Sequence, residues 1–279
     1  MNKLLVVNKE KNLTSRDVVN NLTKIFNTKK IGHTGTLDPI ATGVLVCLFG
    51  KYTKLVDMLT SLDKEYIAEI KLGIKTDTGD ITGSIIENKK YNITKEDIIK
   101  VFKEFPSKYK QTVPKYSAVK INGKKLYEYA RNNIEIDLPK REVSIFSLEL
   151  ISFENDIVKF KTHVSKGTYI RSLIEDICEK LGTVGTMNSL IRTKQGNFDI
   201  KDSFTLDEIK NGNFKFQNIH EFLKYPSLEI NDELIKFVKN GGKIKNIYNI
   251  QDKVIFTYQG EDIAIYENNN ETLKPYIMF

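Results

Sequence analysis

Two apolar-rich runs, "EVSIFSLELISF" (142–153) and "IVKFKTHV" (157–164), are separated only by "END". So short a connection leaves no room for a crossover helix, so the two strands must pair antiparallel. "EYIAEIKLG" gives a related signal: Tyr66, Ala68, Ile70 and Leu72 alternate with Glu65, Glu69 and Lys71, the pattern of a half-buried strand. "KLLVVNK" and "VLVCLF" add two more strand candidates, the second apolar throughout and therefore buried. Helical periodicity intervenes between these runs. In "DVVNNLTKIF", Val18, Val19, Leu22, Ile25 and Phe26 form one stripe, preceded by Thr14 and Ser15 as capping residues. Thr94 and Asp97 open a second helix, with Ile98, Ile99, Phe102 and Phe105 on one face. "SKGTYIRSLIEDICEKLG" reads as a turn and a helix closing at Gly182. The mixture predicts an α+β fold with a mixed, mainly antiparallel sheet flanked by helices. Near "KYPSLEI" the pattern changes to one short helix, "DELIKFVKN", and three strand runs, which predicts a main domain over 1–225 and a small β-rich domain over 226–279.

With 279 residues the chain can bury such a core without covalent staples. Cys47 and Cys178 both sit in apolar patterns and read as buried free thiols of a reducing compartment. No apolar run approaches the roughly 18 residues of a membrane span, and the first apolar stretch is too short for a signal peptide. A cytoplasmic protein with no membrane partner is expected. Lysine and arginine number 43 against 36 acids, a net charge of +7. Their distribution says more: residues 103–125 carry seven lysines and one acid, interleaved with Tyr109 and Tyr116. That mix suits phosphate contacts plus base stacking, and it equally suits a solvated lysine face.

Several chemistries have no warrant here. His33, His163, His220 and the two cysteines lack metal-ligand spacing, so no metal site is expected. The chain has no Gly-rich phosphate loop and no G-x-S-x-G elbow, so no nucleotide cofactor is expected either. What stands out is "GHTGTLDPIATGVL" (32–45), too rich in glycine and threonine for a helix interior or a plain strand, hence an ordered loop. Asp38 precedes Pro39, and Asp-Pro commonly starts turns, so its local chemistry allows a structural role. Against that stand the polar neighbours His33, Thr34, Thr36 and Thr42, and Arg171 of "SKGTYIR", which could hold a buried carboxylate ionised.

The loop closely resembles the signature of the TruB family, bacterial pseudouridine synthases that act on the T arm of tRNA. The resemblance continues in family order. "DKEYIAEIKLGIKTDTGDITG" is similar to the family's tyrosine-bearing strand and following loop, "VPKYSAVKINGKKLYEYAR" to its tRNA-contacting insertion, and "SKGTYIRSLIEDICEKLG" to its arginine motif. Together the motifs cover about residues 1–200. The resemblance implies a pseudouridine synthase fold, an insertion at about 103–140 and a PUA-like RNA-binding C-terminal domain. It further implies isomerisation of uridine 55 in the T loop of tRNA, without a cofactor. Asp38 would be the nucleophile, Tyr66 the residue packed against the target base, and Arg171 the partner of Asp38. His33 would lie near the flipped nucleotide, with Tyr169 and Leu190 lining the uracil pocket. Tyr66 and Leu190 lie in apolar patterns that also suit plain core residues. The implied partner is tRNA and the expected state a monomer. The alternative from another class is a tRNA chaperone that opens and refolds the elbow without depending on catalysis.

One motif departs from the family. Where Lys-Pro-x-Gly-x-(Ser/Thr)-Ser is usual, this chain has "KEKNLTS", with Glu10 for proline and Asn12 for glycine. Asparagine tolerates positive φ, so the turn is expected to survive in a less rigid loop. At Asp38, burial should raise the carboxyl pKa and Arg171 should lower it, and the arginine is expected to prevail.

Overall fold

The computed structural model describes residues 1–132 and 134–279. Its frame is a nine-stranded sheet. The strands are β1 (Lys3–Lys9), β2 (Ile31–His33), β3 (Thr42–Phe49), β4 (Lys64–Leu72), β5 (Lys108–Thr112), β6 (Lys140–Glu154), β7 (Ile157–Val164), β8 (Gly185–Gln195) and β9 (Phe198–Asp199). They run in the order β1–β3–β8–β4–β7–β6–β5, with β2 on β3 and β9 on β8. All pairs are antiparallel except β3 and β8, which meet in parallel at Thr42–Gly43 and Ile191–Arg192. The hairpin read from "END" is tight: Glu154 faces Ile157, and Asn155 and Asp156 between them both take positive φ, 49° and 65°. Such a left-handed pair matches the twist of the strands, and Asn and Asp accept it better than most side chains.

Burial explains the two kinds of strand pattern. Leu5, Val7, Leu45, Cys47 and Phe49 of β1 and β3 pack with Val18 and Leu22 of α1 (Ser15–Ile25). Leu4, Val6, Val44, Val46 and Leu48, on the opposite face, pack with Ile255 and Ile265 from the C-terminal part of the chain. Strands covered on both sides need apolar residues at every position, hence the uninterrupted runs. The other arrangement is seen in β4, which puts Tyr66, Ala68, Ile70 and Leu72 against Ile98 and Phe102 of α2 (Lys95–Glu104) and Leu173, Ile174 and Ile177 of α3 (Ile170–Lys180). Its other face carries ion pairs, Glu65 with Lys161 at 2.9 Å and Glu69 with Lys159 at 3.4 Å. A buried leucine or isoleucine contributes about 2 kcal/mol and a surface ion pair about 0.5, so the helix-covered face dominates.

Capping follows the local sequence at both helices. The Thr14 hydroxyl accepts from the Asp17 N–H, and the Asp17 carboxylate accepts from the Thr14 N–H at 2.8 Å; Thr94 and Asp97 repeat the arrangement. Ser15 takes no part in that cap, because its hydroxyl instead accepts the Leu37 N–H at 2.9 Å. Both cysteines are buried and free, and burial pushes each thiol up to about 12.

A second sheet follows, built from β10 (Ser227–Glu229), β11 (Ile244–Lys245), β12 (Lys253–Tyr258), β13 (Glu261–Asn269) and β14 (Thr272–Met278) in the order β10–β12–β13–β14–β11. Helix α4 (Asp232–Lys239) closes its core, with Ile235 and Val238 packed against Phe256 and Tyr266. At the joint with the larger sheet, Asp262 accepts hydrogen bonds from Tyr52 and pairs with His220 Nε2 at 2.8 Å. Among the described residues, no helix is long and apolar enough to cross a membrane.

Candidate active site

Asp38 sits on the loop between β2 and β3, and that loop is tied down from below. The Ala41 N–H donates to the Asp38 carbonyl at 3.0 Å, closing the Asp-Pro turn. The Asn12 N–H donates to Pro39 O at 2.8 Å, and Asn12 takes a φ of 69°, so the turn of the altered "KEKNLTS" segment survives. Gly43 leaves the loop with φ +97°, and a Cβ there would stand 2.3 Å from the Arg192 carbonyl oxygen. No other residue fits this crossing of β3 over β8.

Three buried polar side chains that the sequence reading did not single out support the loop. Fully buried Lys9 donates to Leu13 O at 2.5 Å, Glu10 O at 3.0 Å and Pro39 O at 3.3 Å. Burial lowers its pKa to about 8, with the nearby Asp38 charge opposing the shift. The Arg192 guanidinium donates to Val44 O at 2.6 Å and Gly35 O at 3.2 Å. Gln195 Nε2 reaches Thr34 O, Thr34 Oγ1 and Leu59 O at 2.7 to 2.9 Å. These donors satisfy carbonyls that the irregular loop cannot pair with itself.

Arg171, in the first turn of α3, meets Asp38 at two points: Nε donates to Oδ2 at 2.9 Å and Nη2 to Oδ1 at 3.2 Å. The same guanidinium donates to Thr78 O and Tyr116 O, both at 2.9 Å. One buried arginine therefore joins the Asp38 loop, the turn of the two-stranded hairpin at 74–88, and the insertion. Burial pushes the Asp38 carboxyl above the usual carboxylate range; Arg171 pulls it back, Asp80 adds to the rise and Lys9 opposes it. This corrects the expectation that the arginine prevails: desolvation by the surrounding walls outweighs one charged partner. Asp38 still keeps 32% of its side chain open, so it can meet a substrate.

The other predicted residues fall into two groups. Tyr66 and Leu190 lie in one apolar cluster with Leu37 and Ile40, the residues flanking Asp38 on its own loop. Tyr169 is the half-buried residue at the start of α3, two positions before Arg171. His33 ends β2, at the far end of the loop, and burial together with the charges of Arg192 and Arg16 lowers its pKa, so it is neutral near pH 7. Its Nδ1 is buried without a partner. A large cavity of about 1260 Å³ reaches Arg171 and Tyr116 between the 74–88 hairpin, the insertion and α3, but neither Asp38 nor Tyr66 lines it.

Comparison with known proteins gives a consistent picture. Residues 23–170 match the model of the TruB family pseudouridylate synthase N-terminal domain, and residues 171–224 that of the tRNA pseudouridylate synthase B C-terminal domain. The chain is 42% identical over 264 residues to the tRNA pseudouridine synthase B of Caldanaerobacter subterraneus subsp. tengcongensis, covering 94% of this chain and 93% of that protein. With the protein of the same name from Bacillus pumilus it shares 43% over 286 residues, 95% and 93% of the two chains. In a solved Cbf5–Nop10–Gar1 complex the fold recurs with a TM-score of 0.74 at 24% identity, over 99% of this chain and 84% of that one. The frame, a mixed and mainly antiparallel sheet with helices over the Asp38 face, is thus the pseudouridine synthase fold, and the chain belongs to the TruB family of pseudouridylate synthases.

Proposed function

We propose that this chain isomerises uridine 55 in the T loop of tRNA to pseudouridine, with Asp38 as the nucleophile acting on a flipped-out base. The observation that carries the reading is the two-point contact between Arg171 and a partly open Asp38. The reaction breaks the bond from uracil N1 to ribose C1′, turns the base and joins C5 to the same carbon; the C5 hydrogen leaves as a proton and N1 gains one. Attack at C1′, attack at C6 and removal of the C2′ proton all require the carboxylate ionised. Arg171 favours that form against the burial around it. A second carboxyl that activates water, as in glycoside hydrolysis, would release the base instead.

Extruding a stacked uridine costs a few kcal/mol. Packing on Tyr66 offsets that, with Leu190 and Tyr169 around the base and His33, neutral, near the displaced nucleotide. Lysines of 103–125 and the five-stranded C-terminal unit, residues 226–279, would grip the backbone and shape of the T arm, which makes binding salt-sensitive. A tRNA substrate implies a cytoplasmic setting.

The test is tritium release from an unmodified tRNA transcript carrying [5-³H]uridine, with position mapping, for wild type beside Asp38→Asn. Release by wild type alone, mapped to the T loop, is expected, with tRNA binding retained in the variant. Appreciable turnover by Asp38→Asn removes Asp38 from the mechanism. Tight binding with no release from either protein turns the reading toward an RNA chaperone.

A further inference from the structure

Helix α3 carries Arg171 in its first turn, yet its N-terminus has no side-chain cap of its own. The first turn is instead held from outside, by β5. Gln111, only 2% exposed, accepts the Tyr169 N–H at 2.8 Å through Oε1. Its Nε2 donates to the Tyr109 hydroxyl oxygen at 2.9 Å, and that hydroxyl donates to Asp176 Oδ2 at 2.7 Å. Because the Tyr169 N–H can only donate, the orientation of the Gln111 amide is fixed by its partners. The chain closes on itself: Tyr169 caps α3 and Asp176 lies in its middle, while Tyr109 and Gln111 both belong to β5. A further bond runs beside it, from Ser172 Oγ to Thr112 O at 2.8 Å. Arg171 thus lies between two residues, Tyr169 and Ser172, that are each fastened to the end of one strand. That strand lies in the first part of the insertion, whose inner segment is closed by the Val113 N–H on Pro139 O at 3.0 Å and supplies Tyr116 O to Arg171.

From this geometry we infer that Gln111 is a positioning residue for the reaction: through Tyr169 it sets the start of α3, and so the placing of Arg171 on Asp38. The inference rests on the proposed role of that pair. Gln111 touches no reacting atom. Its contribution is to hold the guanidinium, whose two-point contact with the carboxylate tolerates little displacement. It also ties that placement to the root of the RNA-contacting insertion, so that a shift of the insertion is felt at the arginine.

The experiment measures single-turnover tritium release and tRNA affinity for wild type, Gln111→Met and Gln111→Glu, with melting temperatures alongside. Methionine keeps the length and fills the space but can neither accept from Tyr169 nor donate to Tyr109. A buried glutamic acid beside Asp176 is held protonated, so it accepts from Tyr169 and donates to Tyr109 as the amide does. Gln111→Met is expected to slow release about tenfold while tRNA affinity stays within about twofold, and Gln111→Glu to keep the rate within about threefold of wild type. Tyr109→Phe, which frees the amide to turn while leaving the fold's apolar contacts intact, should lower the rate by about threefold in the same assay, and it stands in should Gln111→Met not fold. Wild-type rates in Gln111→Met, or in Tyr109→Phe where it stands in, overturn the inference. So do equal losses of rate and melting temperature in Gln111→Met and Gln111→Glu, the result of a purely structural role. No release from wild type overturns the reading of the site itself, and this inference with it.

Discussion

Replacing Arg171 with methionine separates charge from shape at the Asp38 site. The side chain is 6% exposed, so an apolar replacement keeps the walls while removing the cation. Opposite charges about 4 Å apart interact by about 4 kcal/mol at an effective dielectric near 20. Asp38 keeps 32% of its side chain open, and solvent screening takes roughly half of that. The remaining 2 kcal/mol or so corresponds to about 1.5 pH units. Burial already holds the Asp38 carboxyl above its usual range, and loss of the arginine moves it further the same way. In the proposed reaction activity requires the ionised form, so the acid limb of the rate profile should move to higher pH by about 1.5 units, with the plateau lowered about tenfold by lost orientation. Stability carries the same sign. A carboxyl whose folded-state pKa is raised stabilises the fold only while protonated, so the variant should lose stability as pH rises from the ordinary carboxylate range through the raised value. Single-turnover tritium release between about pH 5 and 9, with tRNA held above its dissociation constant, reads the profile directly. A uniform drop with the limb unmoved would refute the reasoning and assign Arg171 to the RNA instead.

Three further outcomes test other parts of the structure. Tyr66→Phe should be much milder than Tyr66→Ala in the release assay if stacking is the main role; equal, severe losses would assign the hydroxyl to proton transfer. Lys9→Met leaves three carbonyls without their buried donor and should destabilise the fold by about 2–4 kcal/mol, read as a lowered urea midpoint at pH 7; an unchanged midpoint would mean that the loop below Asp38 is held without it. Gly43→Ala forces a Cβ to 2.3 Å from a backbone oxygen at a φ of +97°, and at least 3 kcal/mol of destabilisation, or no soluble protein, is expected on order-of-magnitude grounds. A variant melting like wild type would place the backbone of that crossing elsewhere.

Much of the frame was legible because it is written locally. The alternation of β4, the "END" hairpin and the Thr–Asp caps each depend on residues within a few positions of one another. The buried character of β3 was legible too, but not what covers its second face, since Ile255 and Ile265 lie far along the chain. Asp38 and Arg171 stand 133 positions apart, and no spacing rule joins them; the motif resemblance did. The sign of the Asp38 shift was misjudged because desolvation sums over many walls, whereas a sequence displays only the single charged partner. Gln195 was missed because its acceptors belong to residues far along the chain, and Lys9 because its acceptors, two of them near in sequence, are main-chain carbonyls that leave no mark in the residue types. For Arg192 a signal existed: it follows Leu190 by two positions on the same strand, and period-two alternation turns it inward.

The joint between the two sheets has a consequence for how such a chain can be altered. Leu4, Val6, Val46 and Leu48 are covered by Leu55, Leu59, Phe198 and Ile219 together with the layer that includes Ile255 and Ile265, and Asp262 fastens that layer through Tyr52 and His220. The last fifty or so residues thus form part of the cover of this apolar face. A chain trimmed of them would bare part of that face and is expected to aggregate. Surgery on this unit has to spare the inner wall that meets β1 and β3.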